Sequence, residues 1–168
     1  TDAPTIINLT NHSYFNLEGQ SSGSMLEQTL CLNASTFTEG NAETCPTGRI
    51  LPVAGTPMDF TRAKPIGRDI QAEYSQLQMC GGYDHNFILD KEPGMLALAA
   101  VARSEKTGIT METYTTQPGV QLYTSNSLQN DTRPGKTGGI YGRYQGFCLE
   151  TQHYPCTPSH PEFPSVEL

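Results

Sequence analysis

Apolar residues in this chain almost never recur at the three-to-four spacing of a helix. They come in short runs rich in Val, Ile, Thr, Leu and Tyr, cut by glycine, proline, asparagine and aspartate. A chain punctuated by 16 glycines and 12 prolines keeps breaking the hydrogen-bond ladder of a long helix, whereas short strands joined by turns tolerate both residues. Strands are expected at Thr5–Leu9, Met25–Leu32, Asn86–Leu89, Met95–Arg103, Ile109–Thr116, Val120–Tyr123 and Phe147–Gln152. The run Ser104-Glu-Lys-Thr-Gly108 joins two of them as a hairpin loop. Within Asp69–Met79 the residues Ile70, Tyr74 and Leu77 share a helical spacing and predict a turn or two. Thr38–Pro57, Leu128–Gln145 and Tyr154–Ser165 read as long irregular connections, which in layered β-proteins commonly carry the ligand site at one rim. The fold class is therefore all-β, of sandwich type.

Charge narrows the partners. Lys plus Arg number 10 against 17 Asp plus Glu, a formal net charge of −7 over 168 residues. Such a surface repels phosphate backbones and anionic lipid, which argues against nucleic acid and membrane as partners. No run of apolar residues is long enough to span a bilayer. The cysteines at 31, 45, 80, 148 and 156 form no CxxC pair. They are expected to be reduced thiols, most of them buried as small apolar residues, in keeping with a cytoplasmic location. Asn-x-Ser/Thr triplets at Asn8, Asn11, Asn33 and Asn130 are short enough to arise by chance. The trio His153, Cys156 and His160 lacks a fourth ligand and is read as no metal site.

Four segments carry more specific information: Asn8-Leu-Thr-Asn-His-Ser-Tyr-Phe-Asn-Leu17, Gly82-Tyr-Asp-His-Asn-Phe87, Thr115-Thr-Gln-Pro-Gly-Val-Gln-Leu-Tyr-Thr124 and Gly146-Phe-Cys-Leu-Glu-Thr-Gln152. In this order and at these separations they resemble the aldose 1-epimerase family, and the Pro161-Glu-Phe-Pro-Ser165 tail extends the likeness to nearly the whole chain. The resemblance implies a large antiparallel β-sandwich with a sugar lying across one face. It implies too that residues 1–168 are the C-terminal portion of a single such domain, incomplete at both ends. Its remaining N-terminal half would supply a further His and an Arg.

By the same resemblance, His12 is the general acid and Glu150 the general base. Opening a pyranose needs a proton delivered to the ring oxygen and another taken from the C1 hydroxyl, and an imidazole opposite a carboxylate can do both. Asp84 resembles the family's sugar-binding carboxylate and Gln121 a residue that hydrogen-bonds the sugar. Gln117 and Tyr14 are weaker candidates, with the alternative role of supporting the site from behind. Without the motif match, Glu150 reads more simply as a strand-end carboxylate paired with an arginine and His12 as a capped turn residue, and Asp84 has the alternative of a turn residue after Gly81-Gly82. His85, adjacent to Asp84, points to the other side of a strand and is expected to be structural.

The implied activity is interconversion of the α and β anomers of a free aldose such as galactose or glucose, with no cofactor and no metal. Two other readings remain open: a sugar-binding module of the same fold without catalysis, and an epimerase of hexose phosphates. The second needs a cluster of basic residues, and those present are scattered.

Overall fold

The computed structural model describes residues 1–128 and 133–168. Among them, the strands in chain order are β1 (Thr29–Leu32), β2 (Thr36–Gly40), β3 (Pro46–Pro52), β4 (Lys64–Pro65), β5 (Asp84–Ile88), β6 (Ala97–Arg103), β7 (Thr110–Thr115), β8 (Gly119–Tyr123) and β9 (Cys148–Gln152). One helical segment, α1 (Ser75–Cys80), and a 3₁₀ turn at Thr157–Ser159 complete the elements. The strands make two antiparallel sheets, ordered β4-β1-β6-β7 and β3-β2-β5-β8-β9.

Period-2 alternation explains the layering. Leu30 and Leu32 of β1 and Ala100 and Ala102 of β6 share one buried cluster with Phe37, Phe87, Val120, Leu122 and Leu149 of the larger sheet. Phe37 and Phe87 are fully shielded and pack ring to ring at 6.1 Å. Each contributes roughly 1.5–3 kcal/mol of burial. That burial also sets the register of β5, because a one-residue slip would carry Asp84 and Asn86 into the apolar layer.

Several expectations take sharper form. The β6–β7 hairpin closes as expected: Ser104 N–H bonds the Ile109 carbonyl and Gly108 N–H the Ser104 carbonyl, with Gly108 at φ +73°. The helical spacing in Asp69–Met79 yields only α1, which ends on Gly81 in the left-handed region. Met25–Leu32 is a strand only from Thr29, since Gln28 N–H turns back to the Met25 carbonyl. Thr5–Leu9 is not a strand. Only Ile6 makes a β-bridge, to Glu167, and Leu9 is exposed. Thr38–Pro57 is not irregular either, because it contains most of the β2–β3 hairpin. Pro46, Gly48 and Pro52 hide this strand from a pattern search, and they are tolerated because β3 is the sheet's edge.

The cysteines correct another expectation. All five are free, but only Cys148 is buried, whereas Cys45 and Cys156 are exposed. The side chains of Asn8, Asn11 and Asn33 bond the chain itself. Asn130, and with it part of the Leu128–Gln145 connection, lies outside the described residues. None of the helices among the described residues is long and apolar enough to cross a membrane.

Gly82 sets the entry to β5. It sits at φ +144°, and a Cβ there would collide with the side-chain oxygen of Asn126, whose amide bonds the Tyr83 carbonyl at 2.8 Å. Gly82→Ala is expected to lower unfolding stability by about 1–3 kcal/mol, through backbone strain plus that collision. Thermal or denaturant unfolding checks this, and an unchanged midpoint would show that the Gly82–Asn126 packing relaxes freely.

Candidate active site

The face of the larger sheet opposite the apolar layer carries polar side chains in cross-strand rows. Register places Asp84 beside Tyr123 and Tyr123 beside Cys148; the next row is Asn86, Gln121, Glu150. A third row runs from Ile88 through Gly119 to Gln152. These residues share a face because each lies two positions from its neighbour on the same strand. Gly119 makes the arrangement possible, since a Cβ there would lie 2.5 Å from Asn86 Oδ1.

Hydrogen bonds tie the rows together. Gln121 Nε2 donates to Asp84 Oδ1 at 2.8 Å, and Gln152 Nε2 donates to Gln121 Oε1 at 3.3 Å. Gln121 is thus oriented, with its amide nitrogen toward the carboxylate. The Asn86 amide nitrogen, by contrast, is buried without a partner among the described residues.

His12 arrives from a loop lashed along β9 at two points. Asn8 Nδ2 donates to the His153 carbonyl and Asn8 Oδ1 accepts the His153 N–H, both at 3.0 Å. Farther along, Phe15 and Phe147 exchange backbone bonds at 2.8 and 3.0 Å. Between them Asn11 Oδ1 accepts the Ser13 N–H, a local turn that turns His12 toward the sheet. Tyr14 stacks on the imidazole at 5.1 Å, and Tyr123 meets it edge-on at 6.0 Å.

The outcome is a close acid–base pair: His12 Nε2 lies 3.3 Å from Glu150 Oε1. Glu150 is buried to 8% exposure, whereas the His12 side chain is half exposed. Burial pushes the Glu150 carboxyl above its ordinary value; His12 pulls it back and the Asp84 charge raises it further. Asp84 is raised too, chiefly by burial, against the Gln121 hydrogen bond and His12. The other His12 nitrogen, Nδ1, is 3.4 Å from Cys148 Sγ. Burial, with Glu150 and Asp84 adding to it, pushes that thiol up to about 12.

The structure therefore brings together all four residues named from the sequence, His12, Glu150, Asp84 and Gln121. Tyr14 joins them through its ring. Gln117 does not: it lines a separate shallow groove with Thr10, Asn11 and Thr151. His85 is buried, edge-on to Phe37, with Nδ1 accepting the Asp84 N–H, and burial lowers it to about 4. His153, Cys156 and His160 do not converge. Among the described residues the one group of potential metal donors is His12, Cys148 and Glu150. Cys148, Tyr123, Asn86 and Gln152 were not singled out from the sequence. Cys148 and Gln152 are each two residues from Glu150, and that spacing was the available signal. A cavity of about 660 Å³ lies beyond Tyr14 and is lined by Asn16, Gln20, Lys136 and Tyr141, away from the carboxylates.

Comparison with known proteins gives this geometry its context. The sequence pattern of aldose 1-epimerase matches residues 1–168. The chain is 41% identical to galactose mutarotase of Sus scrofa over 164 residues, covering 98% of this chain and 46% of that protein. It is 39% identical to aldose 1-epimerase of Haemophilus influenzae, covering 96% of this chain and 46% of that protein. The crystal structure of an aldose epimerase homologue from C. elegans superposes with a TM-score of 0.83 at 31% identity, over 99% of this chain and 48% of that one. The chain thus spans about half the length of the relatives it matches. With a pattern match along its full extent and the same layered sheets, it belongs to the aldose 1-epimerase family.

Proposed function

We propose that the protein to which this chain belongs interconverts the anomers of a free aldose, galactose or glucose, with His12 as general acid and Glu150 as general base. The observation that carries this is the His12–Glu150 pair, 3.3 Å apart and flanked by the Asp84–Gln121 hydrogen bond. A pyranose seated over it presents O1 to Glu150 and the ring oxygen to His12. Glu150 takes the O1 proton, the C1–O1 bond becomes a carbonyl, the bond from C1 to the ring oxygen breaks, and His12 protonates that oxygen. Rotation about C1–C2 turns the other aldehyde face to the oxygen, and closure runs the proton transfers backward. Electrons move only between bonds of the sugar.

Asp84 and Gln121 serve as the sugar-holding groups. The carboxylate accepts from ring hydroxyls, and the Gln121–Gln152 chain keeps its partner oriented. Asp84→Asn is expected to raise KM about tenfold, more than it lowers kcat, since a charge-assisted hydrogen bond worth ~1.5–3 kcal/mol is weakened in ground and transition states alike. The same change removes a negative charge that raises Glu150, so the acid limb of the pH–rate profile should move to lower pH. Steady-state kinetics across pH checks both expectations.

Five free thiols fit a reducing compartment, and we place the protein in the cytoplasm on that ground. The deciding experiment is polarimetry on freshly dissolved α-galactose and α-glucose with the full-length protein. Enzyme-dependent acceleration is the expected result. Saturable sugar binding without acceleration would instead favour a non-catalytic sugar-binding module.

A further inference from the structure

We propose that His12, Cys148 and Glu150 form an inhibitory site for a thiophilic divalent cation, Zn²⁺ or Cd²⁺. Their donor atoms all lie within 4.8 Å of one another. Bonds from zinc to sulfur, nitrogen and oxygen run roughly 2.0–2.3 Å, so one ion reaches all three after small side-chain shifts.

Two of the ligands are already in place. Cys148 and Glu150 occupy one face of β9, two positions apart, and the ladder to Tyr123 and Gln121 fixes both. The third ligand supplies the adjustment. His12 now presents Nε2 to Glu150 and Nδ1 to Cys148. Only one nitrogen can bind a given ion, and the half-exposed ring has room to turn toward it. Coordination displaces the thiol proton to water and leaves a thiolate–imidazole–carboxylate set with an open fourth position. Sulfur and imidazole select Zn²⁺ or Cd²⁺ over Mg²⁺ and Ca²⁺.

Binding itself stands on this geometry. Its inhibitory effect rests on the proposed mutarotase chemistry, because the ion would occupy the acid nitrogen and the base oxygen together and exclude the sugar. Proton transfer alone does not require Cys148, so the thiol is the feature that turns the pair into a metal trap.

The test uses full-length protein carrying Cys45→Ser and Cys156→Ser, which removes the two exposed thiols, with and without Cys148→Ser. Co²⁺ titration should produce a thiolate-to-metal charge-transfer band that Zn²⁺ abolishes, and Cys148→Ser should lack it. In polarimetric assays at buffered free Zn²⁺, inhibition should be competitive with sugar and reversed by EDTA. Cys148→Ser should need on the order of tenfold more Zn²⁺, as a soft ligand is replaced by a hard one. Absence of the band from protein that retains Cys148, or an identical zinc response with and without Cys148, overturns the proposal. A Cys148-dependent band in protein that does not accelerate mutarotation upholds the metal site and counts against the catalytic reading instead.

Discussion

Glu150→Gln is expected to lower kcat by on the order of 10³-fold or more while leaving sugar affinity nearly unchanged, since a positioned proton acceptor contributes roughly 10²–10⁴-fold. Glutamine keeps the shape and can hold the C1 hydroxyl, but its amide cannot take the proton, so the loss falls on the chemical step. The folded setting adds a pH signature. Burial and the Asp84 charge raise the Glu150 carboxyl, with His12 opposing them. A raised carboxyl stays protonated to higher pH, and a protonated Glu150 cannot accept, so activity falls as pH drops through that raised value. The acid limb should therefore lie above the ordinary glutamate value of about 4.3. Kinetics of the full-length variant against pH measure both effects. A Glu150→Gln enzyme with near-normal kcat would assign the base to another residue.

His12→Asn should cost on the order of 10²-fold or more in kcat. Ring opening places negative charge on the ring oxygen, so a donor there matters most in the transition state. Asparagine retains an N–H of similar reach but has no proton to release. Its loss should leave hydrogen bonding to the sugar largely intact while stopping delivery. Steady-state kinetics of the full-length variant measure the loss, and near-normal kcat in His12→Asn would assign the acid to a different group. Because Tyr14 and Cys148 contact the imidazole and do not replace it, neither is expected to rescue the variant.

How legible these residues were depended on the length of the pattern around each. Phe147–Gln152 and Met95–Arg103 announce themselves as strands because each is a short apolar-rich run that begins just after a glycine, and both appear within two residues of the expected bounds. The β2–β3 hairpin was invisible. Its second strand contains two prolines and a glycine, and only its position at the sheet edge makes them acceptable. Thr5–Leu9 failed in the opposite way: its β-branched residues have strand propensity, but past the Ile6 bridge no strand among the described residues pairs with them. Propensity describes one chain segment, while a strand requires a partner.

The sequence by itself determined the fold class and the four family-like segments, and it marked His12, Asp84, Gln121 and Glu150 as candidates, because strand pattern and motif order are local properties of the chain. Only the tertiary structure decided that these residues meet. Asp84 and Gln121 are 37 positions apart, and His12 and Cys148 are 136 apart. Their contact follows from strand register and from the lashing of the His12 loop to β9 at Asn8 and Phe15. Tertiary structure alone also placed the Cys148 thiol against the imidazole. That register is held by buried Phe37, Phe87, Val120 and Leu122 on the opposite face. The energy that aligns the polar rows is hydrophobic and nonlocal, and it resides in residues that never touch the site.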